Sequence, residues 1–317
     1  MNALLALLLL APQASQENHR AVFVKAVDSV VGIRVMATLG ERSGSGVVIS
    51  KDGYIVTSYA TVPNGADQIR VYLRGPRLLI GKLVATSRDH ELSLIKVEPK
   101  VDLVPIELGD SSEVKPGDVS YTLGNAANCI IDNDAASLGV GIISGAYTLR
   151  VAKANSTYTG PVLETTAAVN IGMEGSPLLD GQGRMVGFVT LNYSPSRFLG
   201  NAIPVNLLKP VLERLRRPDG ETPATPPESQ EPGYLGVTVA DKQGRVAVES
   251  VDTGSPAARA GISKGTILTA LGGTSLKDAA EFRTRLKELK EGDLIFIKVE
   301  DDGLEAELKI TLGKKGR

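Results

Sequence analysis

The chain has 317 residues, which is long enough for two domains that each bury a sizeable hydrophobic core. Its hydrophobic fraction of 42% and charged fraction of 22% are typical of a soluble globular protein. A formal net charge of -1 at pH 7 gives no electrostatic reason to expect binding to nucleic acid or to a membrane surface. The single cysteine excludes an intrachain disulfide.

The N-terminal residues 1–14 resemble a short secretory signal. They contain an apolar core and end in small residues, with a plausible cleavage after Ala14, although a basic segment is missing and Pro12 is unfavourable near the cut. The apolar run is too short to span a bilayer comfortably. We therefore expect an exported chain, periplasmic or extracellular, with no stable membrane insertion after signal removal.

Residues 20–216 carry short β-rich runs separated by Gly, Pro, Asn and Asp, a spacing that favours a β-sandwich or β-barrel. The clearest predicted strands are Val30–Val35, Ser45–Ile49, Ile69–Leu73, Leu92–Val97, Val119–Leu123 and Met185–Thr190. Helices are predicted near Arg20–Ser29 and Pro204–Arg216. The first domain is thus predicted to be mainly β.

Residues 217–232 are polar and proline-rich, and this composition predicts a semi-extended linker with no core of its own. A second compact unit follows at 233–314. It contains the run Gly254-Ser255-Pro256-Ala257-Ala258-Arg259-Ala260-Gly261-Ile262, then an amphipathic stretch at 278–289 and a strand at 294–299.

One glycine-rich loop, residues 170–180, is the most informative motif of the chain. It is written Asn-Ile-Gly-Met-Glu-Gly-Ser-Pro-Leu-Leu-Asp. It resembles the nucleophile loop of the HtrA/Deg serine proteases, which is Asn-Pro-Gly-Asn-Ser-Gly-Gly-Pro-Leu-Leu-Asp. In that family a trypsin-like double β-barrel precedes a small α+β PDZ domain, and the run at 254–262 is similar to the PDZ segment. The resemblance implies the same two-domain fold here.

The resemblance also shows where this chain departs from a serine protease. The position of the attacking serine holds Glu174, the general base is replaced by Ala60, and Glu91 stands where an Asp orients the base. Nucleophile, base and orienting carboxylate are all needed for triad catalysis. We expect no catalytic residues of this type, which makes the chain a pseudoprotease.

Glu174 has two interpretations. In the family, the backbone N–H groups at the positions of Gly172, Met173 and Glu174 form the oxyanion loop. A carboxylate that folds onto these groups fills the site. Alternatively, Glu91 and Glu174 face each other as a pair that acts as acid and base or binds a cation. We favour the self-filled site, because nothing else in the sequence supplies a sugar cleft or metal ligands. No cofactor or metal is expected.

Ser176 and His90 are the other candidates for a replacement catalyst. Ser176 lies two residues beyond the nucleophile position, and a shift of that size in a tight turn misdirects its hydroxyl. His90 neighbours Glu91 on a predicted strand, so the two side chains are expected to point to opposite faces. We expect Ser176 to fill the place of a glycine and His90 to lie on the surface.

The PDZ resemblance implies a peptide-binding groove. Its carboxylate-binding loop corresponds to Tyr234, Leu235, Gly236 and Val237, and the strand that receives a ligand includes Val239. Phe282 and Leu286, four residues apart on the predicted helix, either line this groove or belong to the core.

Together these residues predict a catalytically inactive HtrA-like protein that binds protein C-termini or unfolded polypeptides as a scaffold, adaptor or chaperone-like partner. The alternative is a divergent serine endopeptidase or another hydrolase with a non-standard site. Family members commonly form trimers through the N-terminal part of the protease domain. Phe23 lies in that region without an aromatic cluster around it, so the homotrimer stays open.

Overall fold

The computed structural model describes residues 18–37, 40–75, 77–150, 158–189, 200–217, 232–291, 293–301 and 304–314. The segment interpreted as a signal, residues 1–14, lies outside the described residues, as do residues 218–231 of the predicted linker. The described chain divides into two compact units. The first contains two closed barrels and the second contains one sheet with two helices.

The first barrel closes six antiparallel strands in the order β1-β2-β3-β6-β5-β4. Its strands are β1 (Val30–Ala37), β2 (Gly40–Val48), β3 (Tyr54–Ser58), β4 (Asp67–Leu73), β5 (Arg77–Ser87) and β6 (Leu92–Val97). Strand β4 shows how the barrel core is built, because Ile69, Val71 and Leu73 are buried while the residues between them are more exposed. This alternation places one apolar face of the strand in the barrel core.

The second barrel closes in the order β10-β11-β12-β9-β8-β7. Its strands are β7 (Val119–Gly124), β8 (Ser137–Leu149), β9 (Gly160–Thr165), β10 (Pro177–Leu179), β11 (Met185–Val189) and β12 (Gly200–Pro204). Ile143, Leu163 and Leu178 lie in its core. The predicted glycine-rich loop leads directly into the short strand β10, so this barrel holds the loop in place.

Helices precede, interrupt and follow the strands of the barrel unit along the described chain. Helix α1 covers residues 18–26, α2 is Cys129–Asn133 and α3 is Val205–Leu215. In α3, Val205, Leu208, Val211, Leu212 and Leu215 are buried, which is the spacing of a helix with one apolar face. The predicted helices are confirmed with small shifts of their ends, and residues 27–29 form a separate 3-10 turn.

The second unit is a sheet in the order β13-β14-β15-β17-β18, with the short β16 paired to β15. Its elements are β13 (Val237–Lys242), β14 (Arg245–Val251), α4 (Pro256–Arg259), β15 (Ile267–Leu271), β16 (Thr274–Ser275), α5 (Ala279–Lys287), β17 (Leu294–Asp301) and β18 (Leu304–Thr311). The predicted fold class, mainly β with a double barrel and a small α+β domain, is confirmed.

Candidate functional site

The loop at 170–176 is a tight backbone structure that requires glycine at two points. Gly172 and Gly175 have φ angles of +92° and +88°, which side-chain-bearing residues rarely adopt. A Cβ atom on Gly172 would lie 2.5 Å from the carbonyl oxygen of Asn125, and one on Gly175 would lie 2.5 Å from that of Ser45. Sterics therefore require glycine at both positions of the loop that resembles a nucleophile loop.

Ser45 joins this loop to the first barrel. Its Oγ donates to the carbonyl of Gly172 at 2.7 Å and accepts from the amide of Asn125 at 2.8 Å. The Ser45 amide donates to the carbonyl of Glu174 at 3.0 Å. The sequence motif around Ser45 indicated a scaffold, but the role of this buried hydroxyl in holding the loop was missed, because its partners are distant in the chain.

The Glu174 side chain lies inside its own loop. It is 1% exposed, and its Oε2 accepts a hydrogen bond from the amide of Gly172 at 2.9 Å. In the same turn the Ser176 amide donates to the Met173 carbonyl at 3.0 Å. The carboxylate thus takes up one of the amides that the resemblance assigned to the oxyanion loop, as the self-filled interpretation expected.

Ala60, which the resemblance assigns to the position of the general base, is 8% exposed. Its carbonyl accepts from Nη1 of the buried Arg42 at 3.0 Å, and its amide donates to the hydroxyl of Ser58 at 3.1 Å. A methyl group can neither accept nor release a proton, so this position contributes nothing to acid–base chemistry. No sequence signal had singled out Arg42.

The prediction of a strand at His90 and Glu91 was wrong. Arg88–His90 form a 3-10 turn, Glu91 follows with φ of +53°, and β6 begins only at Leu92. The Glu91 carbonyl accepts from the Tyr59 amide at 2.9 Å, and its side chain is buried at 7% exposure. The strand rule for opposite faces therefore does not apply to this pair.

His90 is half-buried rather than fully on the surface. Its Nδ1 lies 2.9 Å from the hydroxyl of Ser87, and burial lowers the pKa of His90. The ring is therefore held by a neighbouring turn residue, and its burial disfavours the charged form. Nothing in these contacts makes it a substitute for the missing base at Ala60.

Ser176 is completely buried, and its Oγ has no hydrogen-bond partner within the part of the chain that the structure describes. A Cβ atom on Gly124 would lie 3.0 Å from the Ser176 Cβ, so the two residues are in close contact. A general base within hydrogen-bond reach is needed to activate a serine hydroxyl. Ser176 therefore packs as a small buried residue against Gly124, as expected from its place in the motif.

In the second unit, residues 234–237 form a tight loop before β13. Gly236 has φ of +80°, and a Cβ atom there would lie 2.2 Å from the Ser255 Cβ. The Tyr234 hydroxyl donates to the Asp252 carboxylate, and this bond raises the pKa of Tyr234. Leu235 is buried while Val237 is half-buried at the start of β13. The structure places the predicted carboxylate loop beside the receiving strand.

The two hydrophobic residues predicted on α5 have different positions. Phe282 is 1% exposed and belongs to the core, whereas Leu286 is partly buried and packs against that core. Val239 of β13 is also in the core cluster. Of the two alternatives for Phe282, its burial favours the core, and Leu286 is the better candidate for the edge of a groove.

Within the described residues, no group of three or more His, Cys, Asp or Glu side chains is arranged to hold a metal ion. Nor does any helix of the described chain have the length and apolar character needed to cross a membrane. Phe23, considered for a trimer contact, is half-buried in α1, and the trimer stays a prediction.

Comparisons with known families agree with this two-part organisation. A trypsin-like peptidase domain model matches residues 44–188, and a PDZ domain model matches residues 233–312. The first match begins within β2, ends within β11 and includes the loop at 170–176. The fold and the domain order thus define a trypsin-like peptidase domain followed by a PDZ domain.

Curated relatives and solved structures point to one family. The serine protease Do-like HtrB of Bacillus subtilis is 31% identical over 290 residues, covering 86% of this chain and 62% of its own length. The chloroplastic protease Do-like 1 of Arabidopsis thaliana is 29% identical, with 87% and 64% covered. A DegP-like relative from Marinomonas, named as a periplasmic serine endoprotease, is 30% identical and is covered over 58% of its length.

Two solved structures resemble the whole fold. The HtrA-type protease AlgW with a tripeptide is 26% identical, with a TM-score of 0.54 and 94% of this chain covered against 98% of that one. The serine endoprotease from Yersinia pestis gives 26% identity, a TM-score of 0.52 and the same coverage. The chain is therefore a homologue of the HtrA/DegP proteases, although it spans less than two thirds of the length of these curated relatives.

Proposed function

We propose that this chain is a catalytically inactive member of its family that binds protein C-termini or unfolded segments through its PDZ domain. The observation that carries the proposal is the 2.9 Å hydrogen bond from the Gly172 amide to the buried Glu174 carboxylate. The nucleophile is replaced by a group that already occupies an oxyanion-loop amide, while Ala60 and Glu91 stand at the other triad positions.

Two requirements of acyl transfer are unmet in this proposal: a nucleophile with its base, and a free set of oxyanion donors. Acyl transfer needs a hydroxyl or thiol nucleophile and a base within hydrogen-bond reach of it. It also needs preorganised donors aimed at the oxyanion, and the loss of one such donor costs about 2.7–4 kcal/mol of transition-state stabilisation. The Glu174 carboxyl oxygen occupies an amide that a developing oxyanion would need, so the residual catalysis of an empty triad is suppressed as well.

The peptide-binding half of the proposal rests on an exposed sheet edge. Within the described sheet, β13 pairs only with β14, and α5 packs beside it. An extended peptide can add to such an edge while backbone amides near Gly236 hold its terminal carboxylate. The AlgW structure with its tripeptide is an HtrA-type relative bound to a peptide. Export to the periplasm or cell exterior is proposed from residues 1–14 and from the periplasmic names of relatives.

Peptide binding is tested with the full chain by fluorescence anisotropy, using fluorescein-labelled octapeptides with random sequence and a free C-terminal Val. Leu286→Glu places a charge at the groove edge and should weaken binding at least tenfold. Thr284→Glu, on the exposed face of the same helix, should leave binding within twofold. Equal binding by both variants would show that the groove is not the binding site.

Inactivity is tested by incubating the chain with reduced, unfolded casein and following the products by mass spectrometry. The expected result is intact casein after many hours. Cleavage that disappears in Ser176→Ala would establish the alternative, a divergent serine endopeptidase. Cleavage that disappears in Glu91→Gln would establish hydrolysis by the carboxylate pair.

A further inference from the structure

The edge of β13 carries an outward-facing backbone position at Val239. In the register of β13 and β14, Val239 lies opposite Val248. The Val248 amide donates to the Thr266 carbonyl at 2.9 Å, and the Val248 carbonyl accepts from the Gly265 amide at 2.9 Å. Opposite residues of an antiparallel pair either exchange both bonds or direct both groups away from each other. The Val239 amide and carbonyl therefore point to the open edge.

Arg283 of α5 reaches across to this edge. Its Nη1 donates to the Val239 carbonyl at 2.9 Å. Two residues further along β13, the Asp241 carboxylate accepts from the Ala279 amide at the start of α5, at 2.7 Å. A strand added to β13 needs the Val239 carbonyl for one of its own amides, so a bound peptide displaces the guanidinium from this acceptor.

The Arg283 charge has no acidic partner among the described residues of this unit. Among the residues that the structure describes, Arg283 forms no ion pair, and the residues four positions away on α5 are Ala279 and Lys287. Arg285 on the same helix pairs with Glu281 at 2.6 Å. The guanidinium of Arg283 thus holds only a neutral carbonyl, and a carboxylate is a stronger partner for it.

The geometry of strand addition selects one ligand residue. Directly opposite residues on antiparallel strands direct their side chains to the same face. The Val239 side chain is buried in the core cluster that includes Phe282 of α5, so the ligand residue opposite Val239 also faces α5. If the last ligand residue lies opposite Val237, next to the carboxylate loop, the residue opposite Val239 is the third from the C-terminus.

We propose that Arg283 is a specificity-determining residue of the groove and selects peptides with an acidic side chain at the third position from the C-terminus. The proposal rests on the proposed peptide binding. On binding, the ligand amide takes over the Val239 carbonyl, and the displaced guanidinium pairs with the ligand carboxylate. A ligand with an uncharged side chain there leaves Arg283 without an equivalent partner.

The test uses two pools of fluorescein-labelled octapeptides with a C-terminal Val. One pool has Glu at the third position from the C-terminus and the other has Gln there, and all other positions are random. Anisotropy titrations with the full chain at low salt should give roughly five- to tenfold tighter binding of the Glu pool, as expected for one charge-assisted hydrogen bond. Because the pair is near the surface, the preference should shrink as salt is added.

Variants separate selection from binding. Arg283→Gln should abolish the preference and bind the Gln pool about two- to threefold tighter than the unmodified chain, because the Val239 carbonyl is freed. Arg283→Glu should prefer the Gln pool. Arg285→Gln removes an equal charge that is already paired with Glu281 and should keep the preference.

Equal binding of both pools by the unmodified chain, or a preference that survives Arg283→Gln, would overturn the assignment of Arg283 while leaving peptide binding intact. Failure of every variant to bind either pool would overturn the proposed function and this inference with it.

Discussion

The loop at 170–176 and the edge of β13 both contain backbone groups that can hydrogen-bond to a polypeptide. In each, a side chain of this chain already hydrogen-bonds to one of these groups. In the loop, the side chain is the buried Glu174. At β13 it is the exposed Arg283. Displacing the buried Glu174 side chain leaves a buried amide without its acceptor, which costs more than releasing an exposed side chain. We therefore expect the loop to stay filled and the Arg283 contact to exchange readily.

If the proposed function is correct, this contrast accounts for a protease scaffold that is kept while its chemistry is lost. Gly172, Gly175 and Ser45 still build the loop, and their contacts join it to the barrels. They now stabilise the fold around a carboxylate. In the proposed function, the PDZ domain binds the polypeptide, and the exposed Arg283 side chain has to leave the Val239 carbonyl for a ligand strand to pair there.

The largest predicted effect concerns the loop glycines. Gly172→Ala should destabilise the barrel unit by about 3 kcal/mol, because a left-handed backbone and a contact 2.5 Å from the Asn125 oxygen act together. Gly244→Ala in the PDZ domain has a similar φ of +73° with open space around it and should cost about 1 kcal/mol. Calorimetry of the full chain measures both, and equal losses would contradict the steric account of the loop.

The next effect concerns the carboxylate. Glu174→Ala removes the acceptor of the buried Gly172 amide and should cost about 2 kcal/mol of unfolding free energy. Glu174→Gln retains an acceptor oxygen and should cost less than half as much. Hydrogen exchange at Gly172 is the direct readout, with faster exchange expected only in the Ala variant. Unchanged protection in that variant would mean that the amide has another acceptor.

A smaller effect of opposite sign is expected below the loop. Ser176→Ala removes a fully buried hydroxyl that has no hydrogen-bond partner among the described residues and should raise the free energy of unfolding by about 1 kcal/mol. Chemical denaturation provides the measurement. A loss of stability of similar size would show that the hydroxyl makes a favourable contact and would reopen the question of its role.

The smallest effect concerns the carboxylate loop of the PDZ domain. The bond to Asp252 raises the pKa of Tyr234, so its stabilising contribution is complete below the pKa of an unfolded tyrosine, about 10. The contribution is lost as the pH rises through the higher folded pKa. Tyr234→Phe should lack this alkaline loss of PDZ stability, measured as the PDZ transition temperature between neutral and alkaline pH. An identical pH profile in both proteins would show that the bond contributes nothing.

The sequence predicted much of the fold because local signals agreed with it. Short β-rich runs separated by Gly, Pro, Asn and Asp predicted strands such as β4, and the resemblance of residues 170–180 to a nucleophile loop predicted the glycine-rich turn. Strand β8 was not among the predicted strands, since it is rich in glycine and buries only Ile143 and Leu149, while Val140 and Ile142 are exposed. Its existence depends on pairing with β7 and β9.

The candidate sites were predicted only in part. The motifs predict the replaced triad positions, but the direction of the Glu174 side chain depends on an amide two residues away in a folded turn. On α5, a spacing of four residues correctly placed Phe282 and Leu286 on one face, yet could not distinguish core from groove. Arg283 lies one residue on, about 100° around the helix, and its contact with Val239 required the tertiary structure.

The most direct test of the central claim is intact-mass analysis of the full chain after exposure to a fluorophosphonate probe, which reacts with activated serine hydroxyls. The predicted result is an unmodified mass under conditions in which an active serine protease is fully labelled. Stoichiometric modification of any serine, including Ser176, would contradict the account of an inactive barrel unit filled by Glu174.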